Sequence, residues 1–321
     1  MTITYWRADS RGLEMRKPVD GTAALAMLVL CLVWGAQQVA IKAIADDMDT
    51  IMQVAMRSGI AAVLVWGMGR LVLREAWLPS VWCRSGVAVG LLFAGEFLFI
   101  AEGLRWTSAS HMAVFLYTAP LFAAIGLHLR IRDEQMTGRQ WIGMALAFIG
   151  IAVTFLAPRP GVDIAAMKPS LWGDAMGLCA GATWGMTTVV VRCSRLSEAP
   201  ATQTLYYQLA GAFLILFPMA LLRSDNSPAM NAAVLGSLAF QTLIVSVASY
   251  LVWFWMLRHY LAARLGILAL LTPLFGVLLG ALLLNESTSD GFIAGAALSL
   301  LGLLLVNVKG KRAECQRRTV A

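Results

Sequence analysis

The chain contains ten long apolar runs that are separated only by short polar connections. Each run has about 18 to 25 residues, which is the length that a helix needs to cross the hydrocarbon core of a bilayer. The runs therefore predict an all-α membrane protein with ten transmembrane helices. The predicted spans cover approximately residues 21–45, 50–73, 86–104, 107–129, 140–157, 171–192, 201–222, 233–257, 261–284 and 291–308.

The composition supports the same class of protein. Hydrophobic residues make up 59% of the 321 residues, against roughly 45 to 50% in soluble domains. The net charge of +7 does not indicate a nucleic-acid surface, because the Lys and Arg residues lie mostly in the connections between apolar runs. The 5 cysteines and 3 histidines show neither a disulfide framework nor a metal-ligand spacing. We therefore expect no metal, no cofactor and no nucleic-acid partner.

The second half of the chain repeats the first. Trp34-Gly35 matches Trp184-Gly185, and Pro120 matches Pro273, with about 150 residues between the members of each pair. Each copy holds five spans, and an odd number makes the second copy enter the membrane from the opposite side. The sequence therefore predicts two inverted-topology five-helix repeats, the architecture of many secondary transporters.

The repeats predict the domain organisation. The first repeat is placed at 21–157 and the second at 171–308, with a proline-containing linker at 158–170. A polar segment, 1–20, precedes the repeats, and a basic tail, 309–321, follows them. Most of the 25 Lys and Arg residues fall on one side of the predicted membrane, together with both ends of the chain. Positive residues mark the cytoplasmic side, so we expect both termini in the cytoplasm and a multi-pass protein of the cell inner membrane.

Motifs in both halves resemble those of the drug/metabolite transporter (DMT) superfamily, and specifically its EamA-type members with ten helices. The motifs are Leu32-Val33-Trp34-Gly35, Met56-Arg57, Thr107-Ser108-Ala109-Ser110, Pro120 and Asp133–Gly143 in the first half, and Trp172-Gly173-Asp174, Ala182-Thr183-Trp184-Gly185 and Pro273–Glu286 in the second. The resemblance implies a bundle around a central substrate cavity and, commonly, export of amino acids, metabolites or drugs.

The leading functional hypothesis is a secondary transporter of small metabolites. It would export amino acids or related amphipathic solutes by alternating access around a central cavity between the repeats. Its partners would be a small-molecule solute and the lipid bilayer, with protons as the candidate coupling ion and a homodimer left open. The alternatives are a membrane-embedded enzyme and a non-transporting scaffold. The enzyme is disfavoured because the sequence has no HExxH motif and no paired aspartates on one helix, so no catalytic residue is expected.

Polar and aromatic residues inside the apolar runs are the candidate solute-binding groups. A polar pair follows each Trp-Gly, Gln37-Gln38 in the first repeat and Thr187-Thr188 in the second. Polar groups are costly in lipid, so these side chains should face the interior, either to bond neighbouring helices or to line a cavity. Aromatic residues with polar tips would complete its walls, although packing is the alternative for many of them. The predicted substrate-binding set is Trp34, Gln37, Gln38, Arg57, Glu96, Tyr117, Trp184, Thr187, Thr188, Tyr207, Gln208, Tyr250 and Trp253.

Arg57 and Glu96 carry the charges predicted deepest in the membrane. Counting residues from the predicted external ends of their helices places them roughly 10 and 12 Å inward. A lone charge at that depth is costly, so a pair is the economical arrangement. It would be either a structural ion pair, or a functional one in which Arg57 faces the cavity and holds an anionic group while Glu96 takes up a proton.

Two further features predict hinges or tight packing. Pro120 and Pro273 interrupt matching spans of the two repeats, and a proline in a membrane helix needs neighbours that satisfy the freed carbonyl. Glycines recur every four residues along the sixth span, where small residues let helix backbones approach closely. These four glycines are Gly173, Gly177, Gly181 and Gly185.

Overall fold

The computed structural model describes residues 17–79, 82–103, 106, 109–156, 171–223, 230–284 and 290–307. The described chain consists of α-helices with short π and 3-10 segments, which confirms the prediction of an all-α protein. The predicted linker at 158–170, the tail at 309–321 and most of the N-terminal segment 1–20 lie outside the described residues. The α-helices are α1 (Gly21–Ala43), α2 (Thr50–Gly67), α3 (Val87–Gly103), α4 (Ala109–Leu116), α5 (Ala119–Arg130), α6 (Gly138–Leu156), α7 (Leu171–Cys193), α8 (Ala201–Arg223), α9 (Ala232–Ala239), α10 (Tyr250–His259), α11 (Ala262–Leu268), α12 (Thr272–Leu284) and α13 (Asp290–Asn307).

The described helices form ten spans arranged as two five-helix repeats, in agreement with the prediction from the sequence. Five continuous helical segments are long and apolar enough to cross a membrane by themselves, at 21–41, 50–72, 84–103, 201–223 and 232–259. The fourth, eighth and ninth spans each contain two α-helices in succession, α4 with α5, α9 with α10 and α11 with α12. In the eighth span the two α-helices are joined by a π-helical segment, Phe240–Ser249, which we call the π segment.

The two repeat-related prolines lie in the first turn of a new helix. Pro120 is near the N-terminus of α5, and Pro273 is the second residue of α12. Proline is tolerated there because the first N–H groups of a helix have no intrahelical acceptor. The chain turns at Tyr117-Thr118 before α5 and forms a 3-10 turn at Ala269–Leu271 before α12. In both spans the α-helix is therefore interrupted just before the helix that contains the proline.

The glycine ladder of α7 lies against α4 and α5. Its members are Gly173, Gly177, Gly181 and Gly185, all of them buried. A Cβ atom at Gly181 would lie 2.7 Å from the carbonyl oxygen of Phe115. One at Gly185 would lie 2.6 Å from the carbonyl oxygen of Ala119. Only glycine allows backbones this close, so the ladder fixes where the second repeat contacts the first.

The same contact recurs on the other side of the bundle. A Cβ atom at Gly35 of α1 would lie 2.8 Å from the backbone nitrogen of Gly276 in α12. Gly35 is the repeat counterpart of Gly185, which meets α5 in the same way. Helix α1 of the first repeat thus packs on the second repeat, and α7 of the second packs on the first. The two repeats therefore interleave, and the space between them is enclosed by helices from both.

Candidate functional site

A cavity of about 120 Å³ lies between the two repeats. Its walls come from α1, α3, α4, α7, α8, α10 and the start of α12, together with Tyr117. The walls are mainly aromatic, with amide and hydroxyl groups and one carboxylate among them. The lining residues are Trp34, Gln37, Gln38, Phe93, Glu96, Phe97, Ile100, Leu116, Tyr117, Trp184, Thr187, Thr188, Gln208, Tyr250, Trp253, Phe254 and Thr272.

The cavity brings together most of the substrate-binding residues that the sequence predicted. The predicted residues on its walls are Trp34, Gln37, Gln38, Glu96, Tyr117, Trp184, Thr187, Thr188, Gln208, Tyr250 and Trp253. Arg57 and Tyr207 are not among the lining residues. The hydroxyl of Tyr207 accepts a hydrogen bond of 2.8 Å from Nε2 of Gln203, and its ring lies 6.4 Å from that of Trp77. Tyr207 therefore packs on the connection after the second span.

Six of the lining residues were not among those predicted from the sequence to bind substrate. Five of them are apolar, namely Phe93, Phe97, Ile100, Leu116 and Phe254. In an apolar run such residues look the same whether they face lipid, a neighbouring helix or a cavity. The sixth, Thr272, had a usable signal because it is the residue before the repeat-related Pro273.

The aromatic residues of the cavity contact one another edge to face. The ring of Trp34 lies 6.3 Å from Tyr250 and 5.6 Å from Trp253, measured between centroids. The indole nitrogen of Trp34 donates a hydrogen bond of 2.9 Å to Oγ of Ser249. Since this bond satisfies its polar edge, Trp34 offers mainly ring surface to the cavity.

One polar side chain of the walls has an unused hydrogen-bonding group. Nε2 of Gln208 is buried and has no hydrogen-bond partner among the described residues. In contrast, the hydroxyl of Thr187 donates to the carbonyl oxygen of Thr183 at 2.9 Å, and the side chain of Thr272 interacts with Tyr117 and Cys31. Buried polar groups are normally satisfied, so Gln208 is well placed to bond a solute or its waters.

Glu96 is the carboxylate of the cavity, and Arg57 lies behind the wall. Glu96 is 8% exposed, whereas Arg57 is 1% exposed. The guanidinium of Arg57 sits 5.2 Å from the centroid of the Phe97 ring, measured from Cζ. It interacts electrostatically with the carboxylate of Glu96, and it interacts with Tyr250 both electrostatically and through a side-chain hydrogen bond.

The sequence left two possibilities for Arg57 and Glu96, a structural ion pair and a functional pair in which Arg57 faces the cavity. In the structure the Phe97 ring covers the guanidinium, and Glu96 is the member of the pair that reaches the cavity. Among the described lining residues, Glu96 is acidic and none is basic. Within the described residues, no group of three or more His, Cys, Asp and Glu side chains could hold a metal ion.

Comparisons with known proteins agree with this architecture. The EamA-like transporter family profile matches the chain twice, at residues 21–156 and 171–308. A probable amino-acid metabolite efflux pump of Escherichia coli (strain K12) is 26% identical over 303 residues, covering 91% of this chain and 96% of that protein. An uncharacterized transporter of Bacillus subtilis (strain 168), YoaV, is 22% identical and covers 88% of this chain and 95% of that protein.

A solved structure has a similar fold. It is described as a crystal structure of protein and superposes with a TM-score of 0.75, covering 92% of this chain and 100% of that chain. The sequence identity is 18%, so this likeness concerns the fold alone. The double match of the family profile covers most of the chain. The chain belongs to the EamA-like transporter family.

Proposed function

We propose that the protein is a secondary transporter that exports amino acids or related amphipathic solutes by alternating access. The observation that carries this proposal is the cavity between the repeats, whose aromatic walls hold the carboxylate of Glu96 and an unused amide nitrogen at Gln208. Pockets for small molecules are mostly apolar, with a few polar groups that set orientation. The E. coli relative is named a probable amino-acid metabolite efflux pump, which favours the same class of solute.

Glu96 would bind the ammonium group of the solute, and the surrounding rings would hold its apolar part. A carboxylate and aromatic faces both attract a cation. Protonation of Glu96 would release the ammonium group, so a proton and the solute would compete for one site. This makes protons the coupling ion of the proposal. Both termini would lie in the cytoplasm and the protein in the inner membrane, in line with the distribution of Lys and Arg.

Counterflow in proteoliposomes tests this proposal. Vesicles that contain only this protein would be loaded with one unlabelled amino acid or amine at a time and given traces of the labelled compound outside. A carrier accumulates label transiently, and the accumulation should disappear when the internal compound is removed. Chemical conversion of the compound in place of counterflow would favour a membrane-embedded enzyme. Neither counterflow nor conversion across a broad panel would favour a scaffold.

A further inference from the structure

A buried polar cluster lies between α2 and the π segment, outside the walls of the cavity. Its members are Arg57, Ser58, Thr242 and Ser246, and we call it the Arg57 cluster. Their exposed fractions are 1%, 0%, 3% and 0% respectively. The hydroxyls of Ser58, Thr242 and Ser246 have no hydrogen-bond partner among the residues that the structure describes. The guanidinium of Arg57 interacts with the Tyr250 side chain and has further N–H groups to donate. Polar atoms that are buried inside a folded protein rarely lack a hydrogen-bond partner.

Two contacts join α2 to the span that contains the π segment, one on each side of the cluster. At the outer level, Nε2 of Gln241 in the π segment donates to Oε1 of Gln53 in α2 at 3.1 Å. One turn further along α2, Arg57 interacts with Tyr250, the residue that follows the π segment. Thr242 and Ser246 lie between Gln241 and Tyr250 in sequence, and α2 packs along the π segment. We therefore infer that their hydroxyls lie between the Gln53–Gln241 amide pair and the Arg57 guanidinium.

The unused groups of the Arg57 cluster can all donate hydrogen bonds. A guanidinium has five N–H donors and no acceptor, and each hydroxyl can turn its hydrogen towards an acceptor. A buried charge is costly unless it is paired and hydrogen-bonded, and several donors next to a cation suit an anion. The unused acceptor Oε1 of Gln241 lies on the outer side of this group and can take a hydrogen bond from one hydroxyl.

We propose that Arg57, Ser58, Thr242 and Ser246 bind a small monovalent anion of halide size inside the membrane, at a site separate from the solute cavity. The Phe97 ring covers the guanidinium on one side, and the Gln53–Gln241 amide pair closes the other end of the cluster. Because the cluster is enclosed on these two sides, we expect an ion of halide size and not a large organic anion. The alternative is that the cluster binds only water. In that case the stability of the protein would not depend on which anion is supplied.

The bound anion would respond to the charge on Glu96. Glu96 and Tyr250 face Arg57 from α3 and α10, and Tyr117 also interacts with Glu96. While Glu96 is ionised, it balances much of the charge of Arg57. When a proton or a solute ammonium neutralises Glu96, the guanidinium is left uncompensated and the anion binds more tightly. This coupling rests on the proposed function, whereas anion binding itself does not.

Thermal unfolding of the purified full-length protein tests the site without any solute. The protein would be titrated with sodium chloride and, separately, with sodium gluconate at the same ionic strength. We expect chloride to raise Tm with a saturable dependence and gluconate to have no such effect, because a ligand that binds only the folded state stabilises it by mass action. Equal responses to the two salts would mean that the cluster holds only water and would overturn the proposal.

A matched pair of variants locates the effect. Thr242→Val with Ser246→Ala removes two hydroxyls of the cluster, and we expect it to raise the apparent Kd for chloride at least tenfold. Ser299→Ala is the control, because this buried serine already donates to the carbonyl oxygen of Ala147 at 3.2 Å in another part of the bundle. An unchanged chloride response in the double variant would overturn the assignment of the site.

Two further measurements cover the case in which the double variant does not fold. Ser246→Ala alone removes one hydroxyl and should weaken chloride binding in the same direction. Bromide bound to crystals of the unaltered protein can be located by its anomalous scattering, and we expect a peak beside the Arg57 guanidinium. A peak elsewhere, or none there, counts against the site. Failure of counterflow with normal chloride binding would refute the transport proposal and leave this one standing.

Discussion

Glu134 and Arg192 form a buried ion pair that joins the two repeats at one end of the bundle. Glu134 lies in the 3-10 turn after α5, and Arg192 lies in the last turn of α7. The same carboxylate accepts hydrogen bonds from the backbone nitrogens of Ala262 at 3.0 Å and Ala263 at 3.1 Å. It therefore caps α11, whose own N-cap residue, Leu261, makes no side-chain hydrogen bond. One residue thus ties together three spans.

The first prediction is that Glu134→Gln destabilises the protein. The amide keeps the shape of the side chain but leaves Arg192 buried without a counter-charge and loses at least one bond to α11. Breaking one side of a buried pair costs about 3 to 5 kcal/mol. Thermal unfolding monitored by tryptophan fluorescence should show a clear fall in Tm. Glu198→Gln, at an exposed position on the connection after α7, is the matched control and should leave Tm unchanged.

The second prediction concerns the contact between α7 and the fourth span. Gly181→Leu should impair counterflow and lower stability, because its side chain would collide with the backbone of Phe115 and Leu116. Overpacking of this kind typically costs about 1 to 3 kcal/mol. Gly236→Leu is the control, since nothing lies within 4 Å of a Cβ at this helical glycine. Equal effects of the two substitutions would show that the ladder has no special role.

The third prediction concerns Glu96. Glu96→Gln keeps the size of the side chain but removes the charge that would bind an ammonium group. We expect the apparent affinity for an amino acid or amine to fall on the order of tenfold, because a hydrogen bond to a charged group is worth about 1.5 to 3 kcal/mol. Counterflow of the variant should also lose its dependence on pH. A variant that transports like the unaltered protein at every pH would remove Glu96 from the site.

The fourth prediction concerns topology. In a background without native cysteines, Asp46→Cys should react with a membrane-impermeant maleimide added to intact cells, because the loop between α1 and α2 is expected outside. Glu198→Cys should react only after the membrane is opened. Both positions are exposed in the structure, so accessibility depends on the side of the membrane alone. The reverse pattern would invert the proposed orientation.

The fold class and the number of spans could be predicted from the sequence alone. Both depend on local properties, namely the length of each apolar run and its duplication, and these do not require knowledge of which helices touch. The same is true of Gln208 and Trp34, which the sequence selected because polar and aromatic groups are conspicuous in an apolar run. The structure shows both on the cavity wall.

Which residues share an environment depends on how the helices pack, and the sequence alone does not show it. Arg57 and Glu96 were expected at similar depths, but which of them reaches the cavity depends on how α2 and α3 are rotated about their axes and on the Phe97 ring between them. The bond from Glu134 to the start of α11 likewise spans more than a hundred residues of chain. The depth of a residue in the membrane can be estimated by counting along its own helix. The direction in which its side chain faces depends on how that helix packs against all the others.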